Sequence, residues 1–67
     1  MEMIPVSSSN ISAIGYENGT LRVRFNDGSE YDYYGVPENI YNDFLDSASK
    51  GSFLHQNLKG KYQYAKL

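Results

Sequence analysis

Two turn signals, Asn18-Gly19 and Asn26-Asp27-Gly28, interrupt a run of β-branched and aromatic residues, and no other feature limits the possible folds of this chain as severely. Asn-Gly and Asp-Gly pairs accept the left-handed backbone of tight hairpins, so they divide the first half into three β segments: Ile11 to Glu17, Thr20 to Phe25 and Ser29 to Tyr34. A three-stranded antiparallel meander follows. A two-residue turn places Tyr16 opposite Leu21, Ile14 opposite Val23 and Ser12 opposite Phe25 on an apolar face, with Ala13, Gly15, Arg22 and Arg24 on the other.

The second turn decides which way the cluster Tyr31-Asp32-Tyr33-Tyr34 points. A loop of Asp27-Gly28 alone would set Glu30 and Asp32 among the apolar side chains, which burial penalises heavily. A three-residue loop with Gly28 left-handed instead pairs Val23 with Tyr31 and Leu21 with Tyr33, while Arg24 meets Glu30 and Arg22 meets Asp32. Tyr31 and Tyr33 are therefore expected in the core rather than as a stacking platform. Tyr34, beside Thr20, is the more available ring, although Glu30 and Asp32 share its face.

Downstream, Val36-Pro37-Glu38 reads as a helix entry with Pro37 at the first helical position. Ile40, Tyr41, Phe44, Leu45 and Ala48 follow with the spacing of an amphipathic helix lying on a sheet. A second, shorter helix starts near Ser49-Lys50-Gly51-Ser52, buries Phe53, Leu54 and Leu58, and stops at Gly60. The tail from Lys61 to Leu67 alternates weakly and reads either as a short edge strand or as an extended arm. The fold class is thus α+β: one domain over residues 1–67, with a three-stranded meander, two helices on one face, and a C-terminal tail near the second helix.

A chain of 67 residues is near the lower limit for a single core, and this one has no cysteine for a disulfide or a thiolate metal site. Seven Tyr and three Phe supply the missing bulk. Neither a cofactor nor a metal is expected, because the carboxylates are scattered and one histidine cannot form a cluster. His55 has Gly51, Ser52, Leu58 and Lys59 as helical neighbours, which argues against a general base and against an enzyme. Residues 1–6 lack a secretory signal and no apolar run reaches membrane-spanning length, so a cytoplasmic address is expected.

The net charge of −2 conceals a division. All eight acids lie within residues 1–46, whereas Lys50, Lys59, Lys61 and Lys66 stand beyond them with no acid. Any contact with a polyanion is expected in this C-terminal segment. Lys50, Gly51 and Ser52 carry the ingredients of an anion site at a helix start, although simple capping accounts for the serines. Lys59, Lys61, Tyr62, Tyr64 and Lys66 interleave cations with aromatics in the manner of single-strand-binding grooves.

Ser8-Ser9-Asn10-Ile11, Gly15-Tyr16, Leu21-x-Val23-x-Phe25-x-x-Gly28-x-x-Tyr31-x-Tyr33, Val36-Pro37, Ser49-x-Gly51-x-Phe53 and Tyr62-x-Tyr64 together resemble the KTSC domain over nearly the whole chain. That family is a small bacterial and phage domain, found alone or at the C-terminus of some lysyl-tRNA synthetases, with a central Tyr-x-Tyr matched here by Tyr31 and Tyr33. The resemblance implies RNA binding through the synthetase context. This chain departs from that context in having no catalytic or anticodon-binding region and in its acidic balance. The leading expectation is a non-catalytic module that binds RNA weakly and salt-sensitively through Lys50, Gly51, Ser52, Lys59, Lys61, Tyr62, Tyr64 and Lys66. The alternative is a protein-interaction module using the uncovered sheet face around Arg22, Arg24, Glu30, Asp32 and Tyr34, or an edge strand pairing two copies.

Overall fold

Asn18 and Gly19 adopt φ angles of 51° and 80°, the left-handed pair that a two-residue hairpin requires, and Gly28 is left-handed at 90° in the longer second turn. Around these turns the computed structural model, which describes residues 1–67, forms five antiparallel strands: β1 (Met3–Pro5), β2 (Ile11–Glu17), β3 (Thr20–Phe25), β4 (Glu30–Tyr33) and β5 (Tyr64–Lys66). They lie in sequence order in one sheet, and α1 (Glu38–Asp46) and α2 (Lys50–Asn57) intervene between β4 and β5. The α+β class holds, but the sheet has five strands rather than three. Both additions are three-residue edge strands, too short to show a period of their own. β1 pairs Ile4 with Ile14, and β5 pairs Tyr33 with Tyr64, which resolves the tail as an edge strand.

The β3–β4 register pairs Leu21 with Tyr33, Arg22 with Asp32, Val23 with Tyr31 and Arg24 with Glu30, so both carboxylates stay off the helix side. The β2–β3 register departs from simple alternation at one place. A bulge at Ser12 sets Ile11, rather than Ser12, opposite Phe25, and Ser12 donates its hydroxyl to the Arg24 carbonyl at 3.3 Å. The cause is burial: without the extra residue a hydroxyl would occupy the core side, whereas Ile11 is fully buried there. Enclosing an isoleucine is worth about 1.5–3 kcal/mol.

The core joins Ile11, Ile14, Leu21, Val23 and Tyr33 of the sheet to Val36, Phe44, Leu54 and Leu58, so both helices cover the same face. Tyr33 is buried, while Tyr31 is only half-buried at the margin of this cluster. Pro37 caps α1 instead of entering it, and the helix ends at Asp46 because Ser47 directs both its hydroxyl and its backbone N–H to the Phe44 carbonyl, at 2.7 and 3.2 Å. Ala48 consequently falls outside the helix and is exposed. Ser49 caps α2 by accepting from the Ser52 N–H at 3.3 Å. That helix closes at Leu58, ahead of Gly60, with the Leu58 and Lys59 N–H groups both donating to the Leu54 carbonyl.

Tyr33→Ala is expected to destabilise the domain by about 3–5 kcal/mol in urea unfolding, as for other buried aromatics, and an unchanged midpoint would contradict its core position. Gly15→Ala tests the seating of β1. A Cβ there would lie 2.6 Å from the Met3 sulfur and 2.9 Å from the Glu2 carbonyl oxygen, so a loss of about 1–3 kcal/mol is expected, with faster amide exchange along β1.

Candidate nucleic-acid interface

The β4–β5 register sets Tyr64 beside Tyr33 and Lys66 beside Tyr31, all on the helix side of the sheet. The helices stop short of this corner. An open groove of about 520 Å³ results, with Phe25, Tyr31, Tyr33 and Tyr64 as its aromatic lining, Lys59 and Gly60 from the turn after α2 on one side, and Ser29 at the β3–β4 turn. The rings brace one another: Phe25 meets Tyr31 edge-on at 5.6 Å between centroids, and Tyr64 lies 6.0 Å from Tyr31 and 5.8 Å from Tyr33. Tyr64 nevertheless keeps 61% of its surface exposed. The Lys66 ammonium stands 6.0 Å from the Tyr31 ring centre, so the groove combines aromatic faces with local positive charge.

The basic segment divides between two places. Lys59, Tyr64 and Lys66 meet at the groove, and Lys61 is exposed in the adjoining turn. Tyr62 is half-buried against the core and docks the tail. Lys50, Gly51 and Ser52 lie elsewhere, in a polar groove bordered by Ser7 to Asn10 and by His55. There Lys50 donates to the Ser47 carbonyl at 2.6 Å, Ser52 N–H is capped by Ser49, and a Cβ on Gly51 would meet the Asn10 side chain at 3.7 Å. The helix start is thus engaged by its own chain.

On the opposite face, Arg22 donates Nε and Nη2 to the two carboxylate oxygens of Asp32 at 2.7 and 3.0 Å, and Arg24 donates to Glu30 at 2.6 Å. Hydrogen bonding to Asp32 raises the Arg22 pKa further above its already high ordinary value. Asp32 is buried, and Tyr34 is exposed nearby. β1 and β5 widen this face with Met3 and Ala65, so its charges stand paired in the middle of the sheet.

Phe25, Ser29, Tyr31, Tyr33 and Gly60 line the groove although from the sequence none of them is expected among the site residues and both Tyr31 and Tyr33 are expected in the core. The signal existed in the tail: once Tyr64 and Lys66 are paired as a strand on β4, alternation puts both over Tyr31 and Tyr33. Without the pairing, an arm carries no such consequence.

The KTSC domain family model matches residues 7–62. The chain is 40% identical to a KTSC domain protein from Yersinia pestis whose crystal structure superposes with a TM-score of 0.92, covering 98% of this chain and 96% of that one. A protein from Tsukamurella paurometabola is 38% identical over 63 residues, which span 91% of this chain and 94% of that protein. A lysine–tRNA ligase from Trichormus variabilis is 33% identical over 67 residues, covering 97% of this chain but 12% of the ligase.

Asp27, in the turn beside the groove, accepts from the Ser29 hydroxyl at 2.7 Å and the Ser29 N–H at 2.9 Å, and these bonds, the hydroxyl first, lower its pKa. Because the folded value is depressed, its favourable contribution is present above the ordinary carboxylate range and is lost as pH falls through the folded value. A carbon-detected NMR titration should place the Asp27 midpoint below that of an ordinary aspartate, and Ser29→Ala should move it back upward. A midpoint insensitive to Ser29→Ala would contradict the turn geometry.

Proposed function

We propose that this chain, which belongs to the KTSC domain family, is a non-catalytic module that binds RNA through the basic segment from Lys59 to Lys66. The observation that carries this reading is the convergence of Lys59, Tyr64 and Lys66 on one open aromatic groove. Its relatives add support, because lysine–tRNA ligases carry a region similar to this whole chain, and a domain joined to an enzyme named for tRNA has RNA within reach. We assign the protein to the cytoplasm with that RNA, and its binding needs neither metal nor cofactor. Of the acids near the sheet, Asp32 and Glu30 are matched by Arg22 and Arg24 on the far face, while Asp27, in the turn beside the groove, sets its charge against Lys66. Docking of a protein on that face has less behind it, because a partner would have to compete with ion pairs already formed within the sheet.

Two lysines meeting phosphates of a single strand give a salt slope of about −1.4, which is roughly a sevenfold loss of affinity between 50 and 200 mM salt. In an NMR titration with a short single-stranded RNA at 50 mM salt, amides from Lys59 to Lys66 are expected to shift. Lys59→Gln combined with Lys66→Gln should weaken binding and flatten the salt dependence while leaving the melting curve in place. Shifts confined to Arg22, Arg24, Glu30, Asp32 and Tyr34 would overturn the reading.

A further inference from the structure

We infer that the groove of Phe25, Tyr31, Tyr33 and Tyr64 receives a single unpaired base of an RNA strand, with Lys59 and Lys66 on the flanking phosphates. This deepens the RNA-binding reading and rests on it. Tyr64 is held by the β4–β5 pairing and by two neighbouring rings, yet most of its surface remains open, which is the condition of a stacking platform already ordered before ligand arrives. The volume of about 520 Å³ falls within the range of about 300–1,000 Å³ common for small-ligand sites, and suits one nucleotide rather than a duplex. Paired bases would have to leave their stack to enter.

The two rim lysines determine which aromatic-seeking ligand fits. Tyrosine and phenylalanine walls alone would also accept a quaternary ammonium or a proline-rich peptide, but cations on the rim repel the first and find no counter-charge in the second. A base bearing phosphates satisfies both the rings and the lysines. Recognition should tolerate any base. Ser29 contributes the one hydroxyl of the lining besides the tyrosines, and that hydroxyl is donated to Asp27 at 2.7 Å, so stacking rather than edge reading dominates.

The test uses the intact protein with six probes: adenosine 5′-monophosphate, uridine 5′-monophosphate, ribose 5-phosphate, a short single-stranded RNA, a blunt RNA duplex and a proline-rich peptide. Aromatic ¹H–¹³C spectra follow the rings while calorimetry follows affinity for the strand. Both mononucleotides should shift the Tyr31, Tyr64 and Phe25 ring resonances, ribose 5-phosphate should not, and the single strand should bind more tightly than the duplex. Tyr64→Ala should weaken the strand by about 5- to 150-fold, whereas Tyr64→Phe retains it. Tyr31→Leu provides a second variant against any folding defect in the first. Should RNA bind undiminished to Tyr64→Ala and Tyr31→Leu, or bind equally as duplex, the groove inference fails and the RNA reading stands. Should no RNA bind while the peptide shifts the same rings, both fail.

Discussion

The pairing of Arg22 with Asp32 across β3 and β4 constrains everything else in this small fold. Asp32 is buried, and its two oxygens are held by two nitrogens of one guanidinium, a geometry available only when Val23 faces Tyr31 and Leu21 faces Tyr33. A one-residue slip would turn Asp32 under the helices beside Leu21 and Val23, leaving a carboxylate without water or partner. The value of the pair therefore lies in what it forbids. With the register locked, Tyr33 enters the core and Tyr31 reaches its margin. β5, when it adds to β4, then brings Tyr64 and Lys66 to the same side.

Helix length converts that arrangement into an open surface. The nine residues of α1 extend about 13 Å, and the eight of α2 about 12 Å. Five strands at normal spacing are about 19 Å across, and the buried core draws its sheet residues from β2, β3 and β4 alone, so the two edge strands lie outside it. At the β1 margin the bare residue is Ile4, which is 41% exposed. At the other margin the bare residues are aromatic and sit beside two lysines. The same shortness that limits the core thus creates the one place where rings, cations and free volume coincide.

Much of this was legible in the chain because strong local signals agreed with the cost of burying charge. Asn18-Gly19 and Gly28 predicted the turns, and the need to keep Glu30 and Asp32 from the core selected the correct pairing for Tyr31 and Tyr33. Strict alternation puts Ser12 on the core side, but tertiary burial of Ile11 outweighs alternation and produces a bulge. The edge strands were less legible for a different reason: β1 and β5 are each three residues long and owe their conformation to the meander edges they join. The groove depended on β5. Lys59, Tyr64 and Lys66 were recognisable as candidates, whereas Phe25 and Tyr31 become part of the same surface only through strand pairing and the turn after α2 that carries Lys59 and Gly60. Lys50, Gly51 and Ser52 resemble an anion site in one dimension, but in three dimensions they face Ser7 to Asn10 in a separate groove.

The central claim is that strand register, by setting rings and lysines around one uncovered corner, makes that corner the ligand surface of the domain. Intermolecular nuclear Overhauser contacts in a complex with a short single-stranded RNA test this most directly, because they report which side chains touch which part of the ligand. Contacts between base protons and the rings of Tyr31 and Tyr64, with ribose protons near the Lys59 and Lys66 side chains, are the predicted result. Contacts from base protons to Tyr34 or to the Arg22 and Arg24 side chains on the opposite face would contradict it.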